Sequence, residues 1–403
     1  MVSSSIIDYL EYDTVTKTEH ITELKSTFPT VTICNVNPLS SLDSELLVES
    51  IAVNELKLDL NKNNLSLTDL YANISLANKL ALLLAYNSSN TTRYGEIGSQ
   101  VLCTFDDEMC SSADFKPYFD VNLGNCVQFN SGDGVKLKES VRSGSKNGFY
   151  IQYMLNENLN KFSSIYSEGL KVFIHNNSLP PSEASSVIVQ PSKSSLVSIE
   201  RTFIHKQAYP YSECIDLAKF SSEFYKILIR SNRVYRQEDC FYLCLQKRII
   251  QNCGCYDLNY LKIDGSSPCL DKEEHLCTVN QYNLFKKSNV DDSCSTLCPL
   301  ECDSVEYNLL VSSANYPSFS SYLVYGKYFE NMTFEELQKK SIAISIFYSD
   351  LSYIYIGESV KTLVIDLFSN IGGTLGLFVG VSMLSLIEIV EILIEVVFIR
   401  FNV

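Results

Sequence analysis

Ten of the chain's fourteen cysteines fall between Cys214 and Cys302, and they come in matched spacings. Gln237 to Gln251 has helical composition, which puts Cys240 and Cys244 one turn apart on one face. Cys294 and Cys298 repeat that spacing. A disulfide tolerates only a narrow Cα separation, so equal spacing on two antiparallel helices allows a two-rung ladder, Cys240–Cys298 and Cys244–Cys294. Cys214 and Cys302 would close the cluster outside the ladder. Inside it, Cys253 and Cys255 would project alike from an extended strand and reach Cys277 and Cys269. Sequence alone does not fix connectivity; five nested pairs are the arrangement with consistent geometry. Zinc is the competing use of Cys253-Gly-Cys255 and of the Cys-x3-Cys spacings. Tetrahedral sites favour tight paired knuckles, and these cysteines are too many and too evenly matched. No metal or cofactor is expected.

Fourteen cysteines beside 4 histidines in 403 residues indicate an oxidising compartment. The apolar fraction of 46% is too high for a disordered chain. A formal charge of −15 argues against nucleic acid, which needs a basic footprint. His20, His175, His205 and His275 are scattered, and HExxH, GxSxG and P-loop motifs are absent. The chain does not read as an enzyme, and each histidine reads as an ordinary surface or strand residue.

From Leu367 to Ile387 there is no charged residue, and the apolar character runs on to Phe398. At about 1.5 Å per residue this crosses a bilayer core of about 30 Å. The alternative is a buried globular helix. The shorter run Leu76 to Tyr86 reads as a core helix. All cysteines lie on the N-terminal side of the span, with acceptor sequons at Asn64, Asn73, Asn87, Asn90, Asn176 and Asn331. That side therefore reads as extracellular, yet Met1 to Ile7 has no signal-peptide character. The expectation is a sequence incomplete at its N-terminus, with a transmembrane helix upstream. Lys361 and Arg400 flank the span one apiece and leave its orientation open.

Asn61 to Thr92 reads as a solvent-facing, partly helical excursion, and Gly132 to Gly148 as a loop or hairpin tip. The alternating segments at Tyr150–Leu155, Leu170–His175, Val197–Phe203 and Ala343–Tyr348 read as strands. Strands early, middle and late, with cysteine-rich helical material between, give a mixed α+β ectodomain.

The span itself is not a plain anchor. Gly372, Gly376 and Gly380 recur every four residues and allow close helix approach. Ser382, Ser385 and Glu388 follow, and Glu388, Glu391 and Glu395 share one helical face. Polar groups at membrane depth normally face a polar cavity, which favours a pore over an anchor with an amphipathic cytosolic end.

Five segments carry a family resemblance. They are Phe28-Pro-Thr-Val-Thr-Ile-Cys-Asn, Gly124-Asn-Cys-Val-Gln-Phe-Asn, Tyr209-Pro-Tyr-Ser-Glu-Cys, Cys298-Pro-Leu-Glu-Cys-Asp-Ser-Val-Glu-Tyr, and the stretch from Asn370 to Glu388. In this order they resemble the degenerin/epithelial sodium channel superfamily over nearly the whole chain. The resemblance implies a plasma-membrane, multi-pass subunit of a trimeric, amiloride-sensitive channel with sodium as the permeant ion. Its partners would be two further subunits, identical or homologous, with an extracellular peptide or small-molecule ligand as a further partner that the resemblance allows. It implies an α+β, disulfide-rich, hand-like ectodomain of palm, finger, thumb and β-ball, followed by a C-terminal transmembrane pore helix. Residues 1–10 would be the remnant of the first transmembrane helix and 11–360 the extracellular domain, with the thumb at about 212–303. Residues 361–399 would be the second transmembrane segment and 400–403 the start of the cytoplasmic tail.

By position, the resemblance implies a selectivity filter at Gly380, Val381 and Ser382, where carbonyls and a hydroxyl would replace part of the ion's water. Ser369 falls at the family's degenerin position, and Asn370, Gly373, Ser385 and Glu388 would line or gate the pore. Tyr12 and Tyr211 fall where an aromatic pair links thumb to pore. Cys34–Cys126 and Cys103–Cys110 would join the five nested pairs. Departures bear on gating. Asp13 and Thr14 stand where acid-sensing members carry histidine, and Asn370 replaces an acidic pore-mouth residue. Peptide, mechanical or constitutive gating is therefore expected ahead of proton gating. The alternative function is a non-conducting membrane-anchored receptor or adhesion ectodomain.

Overall fold

The computed structural model describes residues 2–57, 67–87, 95, 97–132, 136–155, 167–177, 179–182, 185–215, 220–231, 233–287, 292–325, 332–379 and 383–401. The N-terminal part runs α1 (Val2–Leu10), β1 (Thr14–Thr22), β2 (Ser26–Thr27), β3 (Thr30–Asn35), α2 (Leu42–Ser50), a π turn (Ile51–Glu55) and α3 (Leu67–Asn87). Strands follow: β4 (Ser99–Phe105), β5 (Glu108–Met109), β6 (Phe115–Asp120), β7 (Gly124–Phe129), β8 (Glu139–Ser140) and β9 (Phe149–Met154). After β10 (Leu170–His175), β11 (Ser186–Val189), β12 (Lys193–His205) and β13 (Cys214–Ile215) comes a helical unit. It comprises α4 (Glu223–Arg230), α5 (Gln237–Cys253), α6 (Lys272–Lys287) and α7 (Asp292–Leu297). The chain closes with β14 (Leu300–Glu301), β15 (Asp303–Asn315), α8 (Phe319–Tyr325), α9 (Phe334–Lys340), β16 (Ser341–Val360), α10 (Val364–Val379) and α11 (Met383–Phe401).

The fold is mixed α+β and rich in disulfides. Its organising element is β16, 20 residues long. Along one edge it pairs in parallel with β12 over nearly its full length, and β15 extends the sheet beyond β12. Its other edge is shared. β9 takes Ser341–Ile346 and β1 takes Ser352–Val360, both antiparallel. A second sheet runs β11-β10-β3-β7-β6. The strand alternation read from sequence has a plain cause: in β9, Phe149, Ile151 and Tyr153 point inward and their neighbours outward. Phe28, Phe129 and Phe149 join Val31, Ile33, Val197 and Ile344 in the principal core. Phe129 and Phe149 stack at 4.1 Å between ring centroids.

Helix ends obey local chemistry. Ser41 and Ser44 form a capping box at the start of α2, and Thr333 and Glu336 do the same for α9. α5 stops because Gly254 adopts a left-handed conformation, φ 77°, and donates its N–H to Ile250 O. This corrects the expected extended strand at Cys253-Gly-Cys255: Cys253 is the last helical residue, and the reversal at Gly254 sets the directions of the two cysteines. The solvent-facing reading of Asn61 to Thr92 also changes where α3 is described. Ala77 and Leu80 to Leu83 are buried against α2, the π turn and Val121.

Seven disulfides are present, and no described cysteine is free. Two rungs join α5 to the α7 segment, Cys240–Cys298 and Cys244–Cys294, with Cα separations of 5.5 and 6.1 Å. Cys214–Cys302 lies outside them, and Cys253–Cys277 and Cys255–Cys269 inside. Cys34–Cys126 ties β3 to β7, and Cys103–Cys110 closes the β4–β5 turn.

The apolar C-terminal run is two helices, α10 and α11, on either side of residues 380–382. Among the described residues no helix is long and apolar enough to cross a membrane. Both helices nevertheless leave large apolar side chains uncovered, including Ile365, Phe368, Leu377 and Leu384.

Candidate functional site

The site begins where the large sheet ends. The register of β1 with β16 runs to Thr14 opposite Val360, so α1 and α10 leave the sheet side by side. Two contacts seal the exit. Lys361 donates its backbone N–H to Asp13 O at 3.0 Å, and its ammonium meets Asp13 Oδ2 at 2.8 Å. Asp13, expected at a proton-sensing histidine position, is thus an ion-pair partner here. At Tyr12 the chain passes through a left-handed conformation, φ 52°, unusual for a bulky residue. That bend aims the Tyr12 ring at Tyr211, 5.5 Å away between centroids and nearly perpendicular.

Tyr211 sits on the loop that leads from β12 into the cysteine-bridged unit. Gln207 bolts this loop to β16, donating its backbone N–H to Glu358 Oε2 and its side-chain amide to Glu358 O. Ser212 Oγ donates to Gln207 O, and Cys214 then links the loop covalently to Cys302. The loop after β12 thus touches both Tyr12 and β16, at the strand ends from which α1 and α10 depart.

On α10, Ser369 Oγ donates to Ile365 O, and the Thr374 hydroxyl donates to Asn370 O. Ser369, Asn370 and Gly373 are exposed, and a Cβ added at Gly372 or Gly373 would meet nothing within 4 Å. Ser385 is half-buried on α11 and Glu388 exposed. Gly380, Val381 and Ser382 lie outside the described residues, as do the sequons at Asn64, Asn90 and Asn331. Asn73 lies on α3, Asn87 ends it, and Asn176 follows β10.

The family model for the amiloride-sensitive sodium channel matches residues 1–392. The chain belongs to that family. It is therefore a member of the degenerin/epithelial sodium channel group, a family of ion channels. It is 26% identical to acid-sensing ion channel 2 of Rattus norvegicus over 425 residues, which is 98% of this chain and 78% of that one. Identity to the bile acid-sensitive ion channel of Mus musculus is also 26%, over 97% of this chain and 78% of that protein. Epithelial sodium channel subunit gamma of Pelodiscus sinensis is 27% identical over 300 residues, 72% of this chain. The family member described here spans 44% of that subunit's length.

Two features of this channel-family fold went unread in the sequence. Arg201 is 5% exposed in the middle of the sheet. Its guanidinium donates to Glu23 Oε2 at 2.8 Å and Ser26 Oγ at 2.9 Å, and lies over the Tyr348 ring at 4.7 Å. There β16 is irregular: Ile199 pairs with Tyr348 but Arg201 with Tyr353. The signal was present, because period two from Val197 and Ile199 puts Arg201 on the inner face. The second is a cleft of about 950 Å³ beside the cysteine-bridged unit, lined by Tyr118, Asp120, Asp239, Tyr242, Tyr260 and Tyr282 among others. Its walls come from β6 and from α5 and α6, far apart in sequence.

Proposed function

We propose that this chain is a pore-forming subunit of a sodium-selective, amiloride-sensitive cation channel of the plasma membrane, assembled with two further identical or homologous subunits. The observation that carries the reading is the sheet end at Thr14 and Val360. α1 and α10 leave it together, and α10 carries uncovered apolar side chains and a bare glycine face. Apolar surface on this scale needs lipid or neighbouring helices. Residues 1–10 then belong to the first membrane helix, 11–360 to the extracellular domain and 361–399 to the second membrane segment. The cysteine-bridged unit, about 212–303, is the thumb. Gly380, Val381 and Ser382 form the filter; Ser369, Asn370, Gly373, Ser385 and Glu388 line or gate the pore; Tyr12 and Tyr211 couple thumb to pore. No resident cofactor is required, sodium being the permeant ion.

Whole-cell recording of the full-length protein tests this. The expected result is an inward sodium current blocked by amiloride, with a sodium/potassium permeability ratio altered or current abolished by Ser382→Cys. A surface-delivered protein that carries no cation current under ligand, stretch or acid, even with a bulky residue at Ser369, would refute it.

A further inference from the structure

Between helix α3 and the cysteine-bridged unit, beside an apolar contact, lies the ammonium of Lys79. Lys79 Nζ donates to Asn122 Oδ1 at 2.8 Å and to Asn259 Oδ1 at 2.7 Å. The two acceptors come from segments distant in the chain, yet they are presented in the same way. In Asp120-Val121-Asn122-Leu123 the Asp120 carboxylate accepts the backbone N–H of Asn122. In Asp257-Leu258-Asn259-Tyr260 the Asp257 carboxylate accepts the backbone N–H of Asn259. Each turn thus fixes an asparagine with its amide oxygen toward Lys79 and keeps a carboxylate nearby. The residue between, Val121 or Leu258, packs into the same apolar cluster as α3.

This duplication gives the half-buried ammonium oxygen acceptors from both sides and two negative charges that offset its partial loss of water. Burial pulls Lys79 below the ordinary lysine value, while Asp257 and Asp120 pull it back. The second turn is itself rigid. Gln246, fully buried on α5, donates to Asp257 O and accepts the Asp257 N–H. Apolar attachment is weaker, since Leu258 and Leu270 reach the α3 cluster only partly buried.

We propose that Lys79 is an internal cationic latch: the twin Asp-x-Asn turns clasp its ammonium and hold α3 against the cysteine-bridged unit. The latch grips that unit at the Asp257–Leu261 turn, which packs on the middle of α5 through Gln246 and the Tyr242–Tyr260 ring stack. Releasing it frees the unit to move as a body, because five disulfides stiffen it internally. That such a movement biases opening rests on the channel reading above; the latch itself does not.

Amide hydrogen exchange on the full-length protein in detergent separates the two. Lys79→Met keeps the side chain's bulk and removes its charge and donors. It should speed exchange about tenfold or more in peptides covering Asp120–Leu123 and Asp257–Leu261, the loss expected of hydrogen bonds to a charged group. Peptides from Lys193–His205 should not change. With Lys79→Ala, millimolar propylammonium should restore protection at both turns, and tetramethylammonium, which has no N–H donors, should not. Unchanged exchange at both turns in Lys79→Met overturns the latch, and so does equal rescue by the two cations. If Lys79→Met fails to fold, Asn259→Ala decides. It retains the backbone bond to Asp257, so faster exchange at Asp257–Leu261 supports the clasp and unchanged exchange refutes it. A protein with the expected exchange but no current would sink the channel reading and leave the latch standing.

Discussion

The rings of Tyr12 and Tyr211 meet almost at right angles, 88° between planes, across the gap between the start of β1 and the loop after β12. Neither element could hold this contact alone. Tyr12 is turned toward it by a left-handed backbone, and Tyr211 by the Gln207–Glu358 bonds. An edge-on aromatic pair of this kind contributes about 0.5–1.5 kcal/mol beyond its buried area. Tyr12→Ala and Tyr211→Ala should each impair stimulus-evoked current, and the double variant should be little worse than either. Phenylalanine at either position should preserve the response. Additive losses in the double variant would show that the rings do not act as a pair.

Arg201 ties together three segments at the point where the two halves of β16 change partners. Beside its bonds to Glu23 and Ser26, it lies near Leu351 O, within the irregular stretch. Truncating it leaves an aromatic pocket and the Glu23 carboxylate without their cation. Arg201→Met should therefore lower stability, by less than the roughly 3 kcal/mol of a fully buried pair, because the Glu23 carboxylate left behind is a third exposed. Glu23→Gln should also destabilise, since the charge it leaves without a counter-ion is the Arg201 guanidinium, 5% exposed. Equal thermal midpoints for wild type and Arg201→Met would remove Arg201 from this role.

Much of this was legible before the fold was seen, and the reason differs by element. The cysteine ladder could be read because a disulfide imposes a distance and a helix imposes a period, and Cys240/Cys244 and Cys294/Cys298 satisfy both. The inner strand at Cys253-Gly-Cys255 was misread because a two-residue spacing suits a strand and a helix stop equally; only the left-handed Gly254 distinguishes them. Lys79 was invisible. Its acceptors lie 43 and 180 residues away, and no periodicity links positions so distant. Tyr12 and Tyr211 came from family position, and physical reading of the two segments would not have joined them.

The two rungs between α5 and the α7 segment should not act independently. With Cys240–Cys298 intact, Cys244–Cys294 closes only a few residues on each helix, so it removes little further chain entropy. Replacing one rung with serine pairs should be mild. Replacing both merges the segments between Cys214–Cys302 and Cys253–Cys277 into one ring and frees an inner loop of roughly 26 residues, for which the chain-entropy account gives about 3 kcal/mol. Thermal midpoints of the two single-rung variants and the double variant check this. A single-rung loss as large as the double would mean that strain or packing at one bridge dominates.

His175 provides a pH-dependent test of the second sheet. It is 5% exposed at the end of β10. Nδ1 lies 3.0 Å from Asn176 O and Nε2 lies 2.8 Å from Thr32 Oγ1. Gln128 donates to that same hydroxyl oxygen at 3.0 Å. The consistent assignment is a neutral ring: Nδ1–H donates to the carbonyl, and the Thr32 hydroxyl donates to Nε2. Burial holds the ring's pKa down at about 4, with the Arg236 charge acting in the same direction. In the unfolded chain an ordinary histidine titrates near 6.5. Between these values the unfolded state binds a proton that the folded state refuses, so stability falls as pH drops from about 6.5 toward about 4. At pH 5 the loss should be about 2 kcal/mol relative to pH 7. His175→Gln, which can still donate and accept, should flatten this part of the profile. Thermal unfolding of both proteins at pH 7 and pH 5 measures the difference, and parallel losses would show that another group titrates there.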